Sequence, residues 1–133
     1  MEGVHLGNLG NAYAALGETR KAIEYYEQAL AVDREIGDRR GEGNDLGNLG
    51  LAYAALGETR KAIEYYEQHL AIAREIGDRR GEGNSLFNMS ICLAKLGQRA
   101  QAVNCAEDAL KILELIESPH AEQVKRMLAD WKR

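Results

Sequence analysis

The sequence predicts an all-α protein, an α-solenoid of three helical hairpins followed by one capping helix. Two observations predict this fold class: the chain repeats itself with a period of 40 residues, and apolar residues within each repeat recur every three or four positions. An internal period of this size is typical of a solenoid, in which each unit buries its apolar face against its neighbours. No segment of the sequence alternates in the manner of a strand.

The first two copies of the repeat are nearly verbatim, matching without a gap at 35 of 40 positions between 6–45 and 46–85. The five differing pairs are Asn11/Leu51, Ala29/His69, Val32/Ile72, Asp33/Ala73 and Asp45/Ser85. A third and much diverged copy begins at Leu86. We place repeat 1 at 1–37, repeat 2 at 38–77, repeat 3 at 78–117 and the capping helix at 118–133.

Each repeat contains two segments with the apolar spacing of amphipathic helices. In the first repeat the apolar positions are Leu6, Leu9, Tyr13 and Leu16, then Ala22, Ile23, Tyr26, Leu30 and Val32. Gly17 is expected to end the first helix in the left-handed conformation, and Thr19 is expected to cap the second.

The connector "GDRRGEGN" occurs at 37–44 and again at 77–84. Glycines beside arginines are typical of phosphate loops, but such a loop also needs a preceding strand, which is missing here. We interpret Gly37 as the end of one helix, Asp38 as the cap of the next, and Arg39 with Glu42 as a pair within its first turn. Because glycines cost a helix about 1 kcal/mol each, a start near Asn44 stays open and would place Arg40 on a loop.

The end of the chain differs from the repeats. Ser118 followed by Pro119 is typical of a helix start, and an otherwise charged segment then carries a single apolar stripe. The stripe consists of Ala121, Val124, Leu128 and Trp131. This pattern predicts a solubilising helix that closes the array.

The repeat resembles the tetratricopeptide repeat. The resemblance lies in Leu9, Gly10, Tyr13, Gly17, Ala22, Tyr26 and Ala29, and all of these except Ala29, which is replaced by His69, recur in the second copy. It implies a right-handed superhelix whose first helices line a concave groove that binds proteins. The period of 40 exceeds the usual length of about 34 residues, which is similar to Pins-type and G-protein-signalling-modulator proteins and to bacterial signalling arrays. The near-verbatim copies suggest a fragment or engineered version of a longer array.

The resemblance also implies which residues line the groove, once a helical period of 100 degrees per residue is applied to each first helix. They are Asn11, Arg40, Asn44, Gly47, Leu51, Arg80, Asn84, Phe87, Ile91 and Lys95. Arginines can clamp carboxylates, and asparagines can bind the backbone of an extended peptide. The expected guest is an extended peptide with acidic and apolar residues, although an empty groove with solvated residues is an equal alternative. Asn8, Asn48 and Asn88 are expected to bond between helices.

Composition excludes several other functions. A net charge of −4 with interspersed signs argues against nucleic-acid and membrane partners. Cys92 and Cys105 lack the companions of a zinc site and are interpreted as reduced thiols of a cytoplasmic protein. No nucleophile or acid–base constellation is apparent, so we expect no enzymatic activity, metal or cofactor.

A second hypothesis is a structural module that assembles with copies of itself. The outward face of the first hairpin nearly repeats the face by which the second hairpin packs on the first. That face can pair with its own copy in a two-fold homodimer.

Overall fold

The computed structural model describes residues 2–133, and Met1, which the sequence places in repeat 1, lies outside them. Within this range the chain forms seven α-helices and no strand. The helices are α1 Glu2–Ala15, α2 Thr19–Ile36, α3 Arg39–Ala55, α4 Thr59–Ile76, α5 Arg79–Lys95, α6 Arg99–Leu115 and α7 His120–Trp131. The predicted all-α class is confirmed.

Consecutive helices pack on one another along the whole array. The pairs α1 with α2, α3 with α4, and α5 with α6 form the hairpins, while α2 with α3 and α4 with α5 join one hairpin to the next. A single apolar core runs through these contacts and ends beneath α7. The predicted solenoid of three hairpins and a capping helix is therefore the observed architecture.

The turns follow the predicted glycine chemistry. Gly17, Gly57 and Gly97 each adopt φ +79° between the two helices of a hairpin, a backbone conformation that glycine adopts without strain. At the first junction between hairpins, the Asp38 side chain accepts a hydrogen bond of 2.9 Å from the amide of Gly41. Helix α3 therefore begins at Arg39, and the alternative start near Asn44 is wrong.

Thr19 is not the cap of α2, contrary to the prediction. The capping position is Glu18, and no side-chain cap bond forms there. The amide of Glu18 donates to the carbonyl of Tyr13, and its own carbonyl accepts from Ala22, so the chain enters α2 directly from the glycine turn. Thr19 is already helical, and its hydroxyl is past the position from which it could cap.

The first two hairpins close on a tyrosine that packs over a glycine. A Cβ atom placed on Gly50 would lie 2.5 Å from Cε1 of Tyr66, and one on Gly10 would lie 2.6 Å from Cε1 of Tyr26. Tyr26 and Tyr66 are both buried, so the two helices of each hairpin approach as closely as the ring allows.

Each junction between hairpins is fastened by a buried glutamate. Glu42 accepts from Arg34 at 3.1 Å and from Arg39 at 2.8 Å, and Arg39 also binds Glu75. At the second junction Glu82 accepts from Arg74 and Arg79 in the same way. The connector "GDRRGEGN" is thus a capped turn and an ion-pair cluster.

The last helix covers the open end of the core. The Ser118 hydroxyl accepts a hydrogen bond of 3.2 Å from the amide of His120, so α7 starts two residues after the predicted cap. Ala121, Val124 and Leu128 of the predicted stripe are buried. Between residues 2 and 133, no helix combines the length and apolar character needed to cross a membrane.

The Gly–Tyr contact predicts opposite effects for two glycine-to-alanine substitutions. Gly50→Ala forces Tyr66 to move, and we expect the free energy of unfolding to fall by about 1–3 kcal/mol. Gly7→Ala is the matched control, because its nearest neighbour would be Asp45 Oδ1 at 3.9 Å. It should raise stability by up to about 1 kcal/mol through helix propensity. Urea unfolding followed by circular dichroism measures both, and equal stabilisation by the two would contradict the packing argument.

Candidate functional site

A pocket of about 530 Å³ opens along the first helices of the hairpins, α1, α3 and α5. Most of its lining comes from these three helices. Asp33 from α2, His69 from α4 and His120 from α7 complete its walls. The pocket follows the groove face that the helical period indicates for α3, and extends further round that helix to Gly41, Asp45 and Asn48.

Six of the ten predicted groove residues line this pocket. They are Asn11, Asn44, Gly47, Leu51, Asn84 and Phe87. Arg40, Arg80, Ile91 and Lys95 are not part of its lining. Arg40 is 65% exposed, and its Nη1 lies 3.9 Å from Oδ2 of Asp78 at the start of α5. Asn44 and Asn84 thus line the pocket, whereas Arg40 and Arg80 lie outside its lining.

Asparagine is the recurring side chain of the pocket wall. Asn8, Asn48 and Asn88 also line it, and the predicted bonds between helices are not formed among the described residues. Asn11 differs, since its Oδ1 accepts a hydrogen bond of 2.7 Å from the Tyr26 hydroxyl. Two asparagines from each of α1, α3 and α5 thus face one cavity.

Acidic side chains form the deep end of the pocket, which the sequence interpretation missed. Asp33 and Asp45 are 4% and 5% exposed. Their carboxyls lie within hydrogen-bonding reach of each other, with Asp38 nearby. Gly3 and Gly41 flank Asp33 so closely that a side chain at either would collide with its carboxyl. Oδ2 of Asp45 is buried, and no described residue donates a hydrogen bond to it.

The acidic cluster changes the ionisation of Asp45. Burial disfavours the charged form, and the hydrogen bond and negative charge of Asp33 act in the same direction. Asp38 and Glu42 add further negative charge, and together these groups raise the pKa of Asp45 to about 8. At neutral pH Asp45 is mainly protonated.

The equivalent place in the second repeat is closed by a neutral pair. His69 Nδ1 lies 2.8 Å from the hydroxyl of Ser85, and burial lowers the pKa of His69. A Cβ on Gly47 would lie 2.7 Å from Nδ1 of His69, whereas the corresponding Gly7 is open to the pocket. The first repeat has Ala29 where the second has His69, so the pocket occupies the space that the imidazole fills one repeat later.

The differences between the two near-verbatim repeats were the signal that could have located this pocket. Among the residues at the five differing pairs, those that line it are Asn11, Asp33, Asp45, Leu51, His69 and Ser85. A polar residue that interrupts the packed face of one copy, as Asp33 does opposite Ala73, indicates a buried group with a specific neighbour.

The described residues offer little else for chemistry. No group of three or more histidine, cysteine or acidic side chains between residues 2 and 133 is arranged to hold a metal ion. Cys92 and Cys105 are free, and burial raises the pKa of both thiols.

Comparison with known proteins identifies the repeat. The family model described as tetratricopeptide repeat matches residues 2–75 and 46–114. No curated protein matches the sequence.

Among solved structures, the apo form of RapI superposes with a TM-score of 0.93 and 18% identity, over 98% of this chain and 48% of RapI. Aspartyl phosphate phosphatase F from Bacillus subtilis gives 0.90 and 15%, over 97% of this chain and 34% of the phosphatase. A putative kinesin light chain from Podosopora anserina, with nearly identical tetratricopeptide-like repeats, gives 0.79 and 22%, over 96% and 64%. This chain thus spans half or less of the first two, and at these identities the likeness shows a shared fold.

The raised pKa of Asp45 predicts a dependence of stability on pH. In the unfolded chain Asp45 releases its proton near pH 4, whereas in the folded protein it keeps the proton up to about pH 8. The contribution of this proton to the free energy of unfolding is therefore fully present below pH 4 and is lost as pH rises through about 8. Asp45→Asn removes this titration. The difference in free energy of unfolding between wild type and Asp45→Asn should change by a few kcal/mol, to the detriment of wild type, between about pH 4 and 8.5. Urea unfolding at several pH values measures it, and parallel curves would contradict the assignment.

Proposed function

Because the chain belongs to the tetratricopeptide repeat family, we propose that it is a protein-interaction scaffold that binds an extended peptide or a partner helix in the pocket along α1, α3 and α5. The family consists of helical repeat scaffolds that bind proteins. The pocket is the surface on which the described part of this chain concentrates unpaired polar groups beside exposed apolar ones.

The observation that carries the proposal is the row of six asparagines on three successive first helices. An amide side chain both donates and accepts, which suits the alternating N–H and C=O groups of an extended backbone. Apart from Asn11, these amides make no side-chain hydrogen bond to the described residues, so they are free to bind a guest. Such a row can bind a peptide of any sequence, because the asparagines contact the peptide backbone and not its side chains.

Apolar residues between the asparagines supply the contacts that depend on sequence. Val4 and Leu51 line the pocket and are 52% and 53% exposed. Phe87 stacks against His120 with ring centres 6.2 Å apart and forms the wall near α7. An apolar side chain of the peptide would bury these surfaces.

We propose acidic residues of the guest only for the rim of the pocket. Arg40 and Arg80 are exposed there, outside the lining itself, and could bind carboxylates that reach past the groove edge. The proposal includes no catalytic role, no nucleic acid and no membrane.

The finer relationship that we propose is to long-repeat arrays, such as the Pins type and bacterial signalling arrays. The 40-residue period supports it, because the added length forms the capped start of α3 and of α5. A cytoplasmic location belongs to the same proposal and accords with the two free cysteines.

The peptide proposal is tested by selecting random-sequence peptides on the wild-type protein and measuring one of them against variants. The double variant Asn44→Ala with Asn48→Ala removes amides from the middle of the row. We expect about tenfold weaker binding or more, from the loss of two or more hydrogen bonds, with an unchanged thermal melt. Asn104→Ala on α6, which is exposed and outside the pocket, is the matched control. Equal affinity in all three proteins would exclude the asparagine row as the binding surface.

A second candidate function is self-assembly through α1, which a specific difference in burial favours. Leu46 and Leu49 on α3 are 1% and 0% exposed, whereas Leu6 and Leu9 at the same repeat positions on α1 are half-buried. A second copy could cover this face in an isologous dimer.

Light scattering over a range of protein concentrations tests the dimer. We expect a mass that rises towards twice the monomer, and Leu9→Lys should restore the monomer because it buries a charge at the interface. Leu115→Lys alters a leucine that is 73% exposed on α6 and should leave the mass unchanged. A monomer at every concentration would rule out assembly through α1.

A further inference from the structure

The acidic end of the pocket contains a buried carboxyl oxygen that accepts no hydrogen bond from the described residues. Asp33 and Asp45 are both more than nine-tenths buried, and both line the pocket. Oδ2 of Asp45 has no hydrogen-bond donor among the described residues. In the free protein the acidic pair is held by the proton of Asp45 and by its hydrogen bond to Asp33, and a cationic group that enters the pocket can replace that proton.

The neighbouring cations are already engaged elsewhere. Arg34 and Arg39 bind Glu42, and Arg39 also forms two hydrogen bonds of 2.7 Å to Glu75. Arg40 is directed towards Asp78. Among residues 2–133, no salt bridge reaches Asp33 or Asp45, so no cation of the described residues offsets their charge and only the proton on Asp45 does.

The fold does not need carboxyls at this place. The second repeat has Ala73 and Ser85 at the same positions, and its helices pack there with the hydroxyl of Ser85 bonded to His69. Since 35 of 40 positions are shared, this junction is an internal control for the packing requirement. Ala73 and Ser85 show that residues without a carboxyl are sufficient for packing here. The fold therefore does not require the carboxyls of Asp33 and Asp45.

The pocket also has room for a ligand group beside the carboxyls. Gly7 has no side chain, and an added Cβ would still lie 3.9 Å from Oδ1 of Asp45. With Ala29 in place of histidine, the space above Asp45 is continuous with the pocket of about 530 Å³.

We propose that Asp33 and Asp45 bind the ammonium or guanidinium group of a lysine or arginine side chain in the guest peptide. This inference rests on the proposed function and specifies the chemistry of one guest position. Guanidinium and ammonium groups carry several N–H donors, enough to engage the carboxyl oxygens of both aspartates. A divalent metal fits less well, because the described residues hold no group of three ligating side chains.

Binding of the cation is coupled to a proton. The titratable groups that act on Asp45 are Asp33 on α2 and Asp38 and Glu42 at the start of α3. His69 on α4 lines the same pocket, and α1 presents Gly3 and Gly7 there. A cation favours ionised Asp45 and lowers its pKa from about 8, so complex formation at pH 7 should release a proton. Affinity should therefore rise as pH increases towards 8.

The experiment uses two probes on the full chain. The first is a library of random hexapeptides, selected in parallel on wild type and on the double variant Asp33→Ala with Asp45→Ser. The variant carries the residues of the second junction, so it is expected to fold. The second probe is butylguanidinium, compared with neutral butylurea, and followed by the carbon-13 shift of the Asp45 carboxyl. Asp108→Ser, which removes an exposed acid outside the pocket, is the control.

We expect wild type and Asp108→Ser to select a basic residue at one fixed position and the double variant to select peptides without it. A selected basic peptide should bind the double variant about 10- to 100-fold more weakly. Calorimetry of that peptide in two buffers should show proton release with wild type and none with the double variant.

The outcomes separate the two proposals. If wild type selects peptides with no basic position, the cation site is wrong while the peptide groove stands. If no peptide is selected but butylguanidinium shifts Asp45 and butylurea does not, the cation site stands and the groove proposal fails. If neither probe binds, both fail.

Discussion

The close contact between a tyrosine ring and a glycine backbone sets the geometry on which the rest of the structure depends. Tyr26 on Gly10 and Tyr66 on Gly50 fix the separation of the two helices in each of the first hairpins. In the third hairpin Ser90 replaces the glycine and Ala106 replaces the tyrosine. The Ser90 hydroxyl donates a hydrogen bond of 2.6 Å to the carbonyl of Phe87. With the second helix of each of the first two hairpins held so near, the first helices supply most of the groove wall.

Polar groups at the junctions serve two separate purposes. Glu42 and Glu82 are buried but fully engaged by arginines, and they recur unchanged, as expected for groups that fix one hairpin on the next. Asp33 and Asp45 are buried without a cation and do not recur. The contrast between ion-paired glutamates that recur and a buried acidic pair without a cation that does not recur distinguishes the scaffold from the candidate site.

The helices, their junction caps and about a third of the pocket wall were predictable, because each follows from local chemistry. Apolar spacing locates the helices, and Gly37 with Asp38 marks the first junction. Asn44, Gly47 and Leu51 follow from the helical period. The period could not show that Arg40 lies near Asp78, the residue that caps α5. It could not reveal Asp33 either, since an acid within a helix pattern indicates a solvated face unless its neighbours in space are known. The prediction that Thr19 caps α2 was wrong because backbone hydrogen bonds of Glu18, which follows the glycine turn, already form the start of that helix.

The near identity of the first two repeats has a consequence for folding. Helices α2 and α4 are nearly identical in sequence, so α4 could pack on α1 in place of α2. Such an exchange, within one chain or between two chains, would form most of the native contacts. In that exchange His69 would lie over Gly7 and fill the pocket, and Asp45 would lose Asp33. The residues that differ between the copies are therefore where the free energy that selects the correct partner must arise. The same few side chains that distinguish the candidate binding site from its copy therefore also determine whether α2 or α4 pairs with α1 during folding.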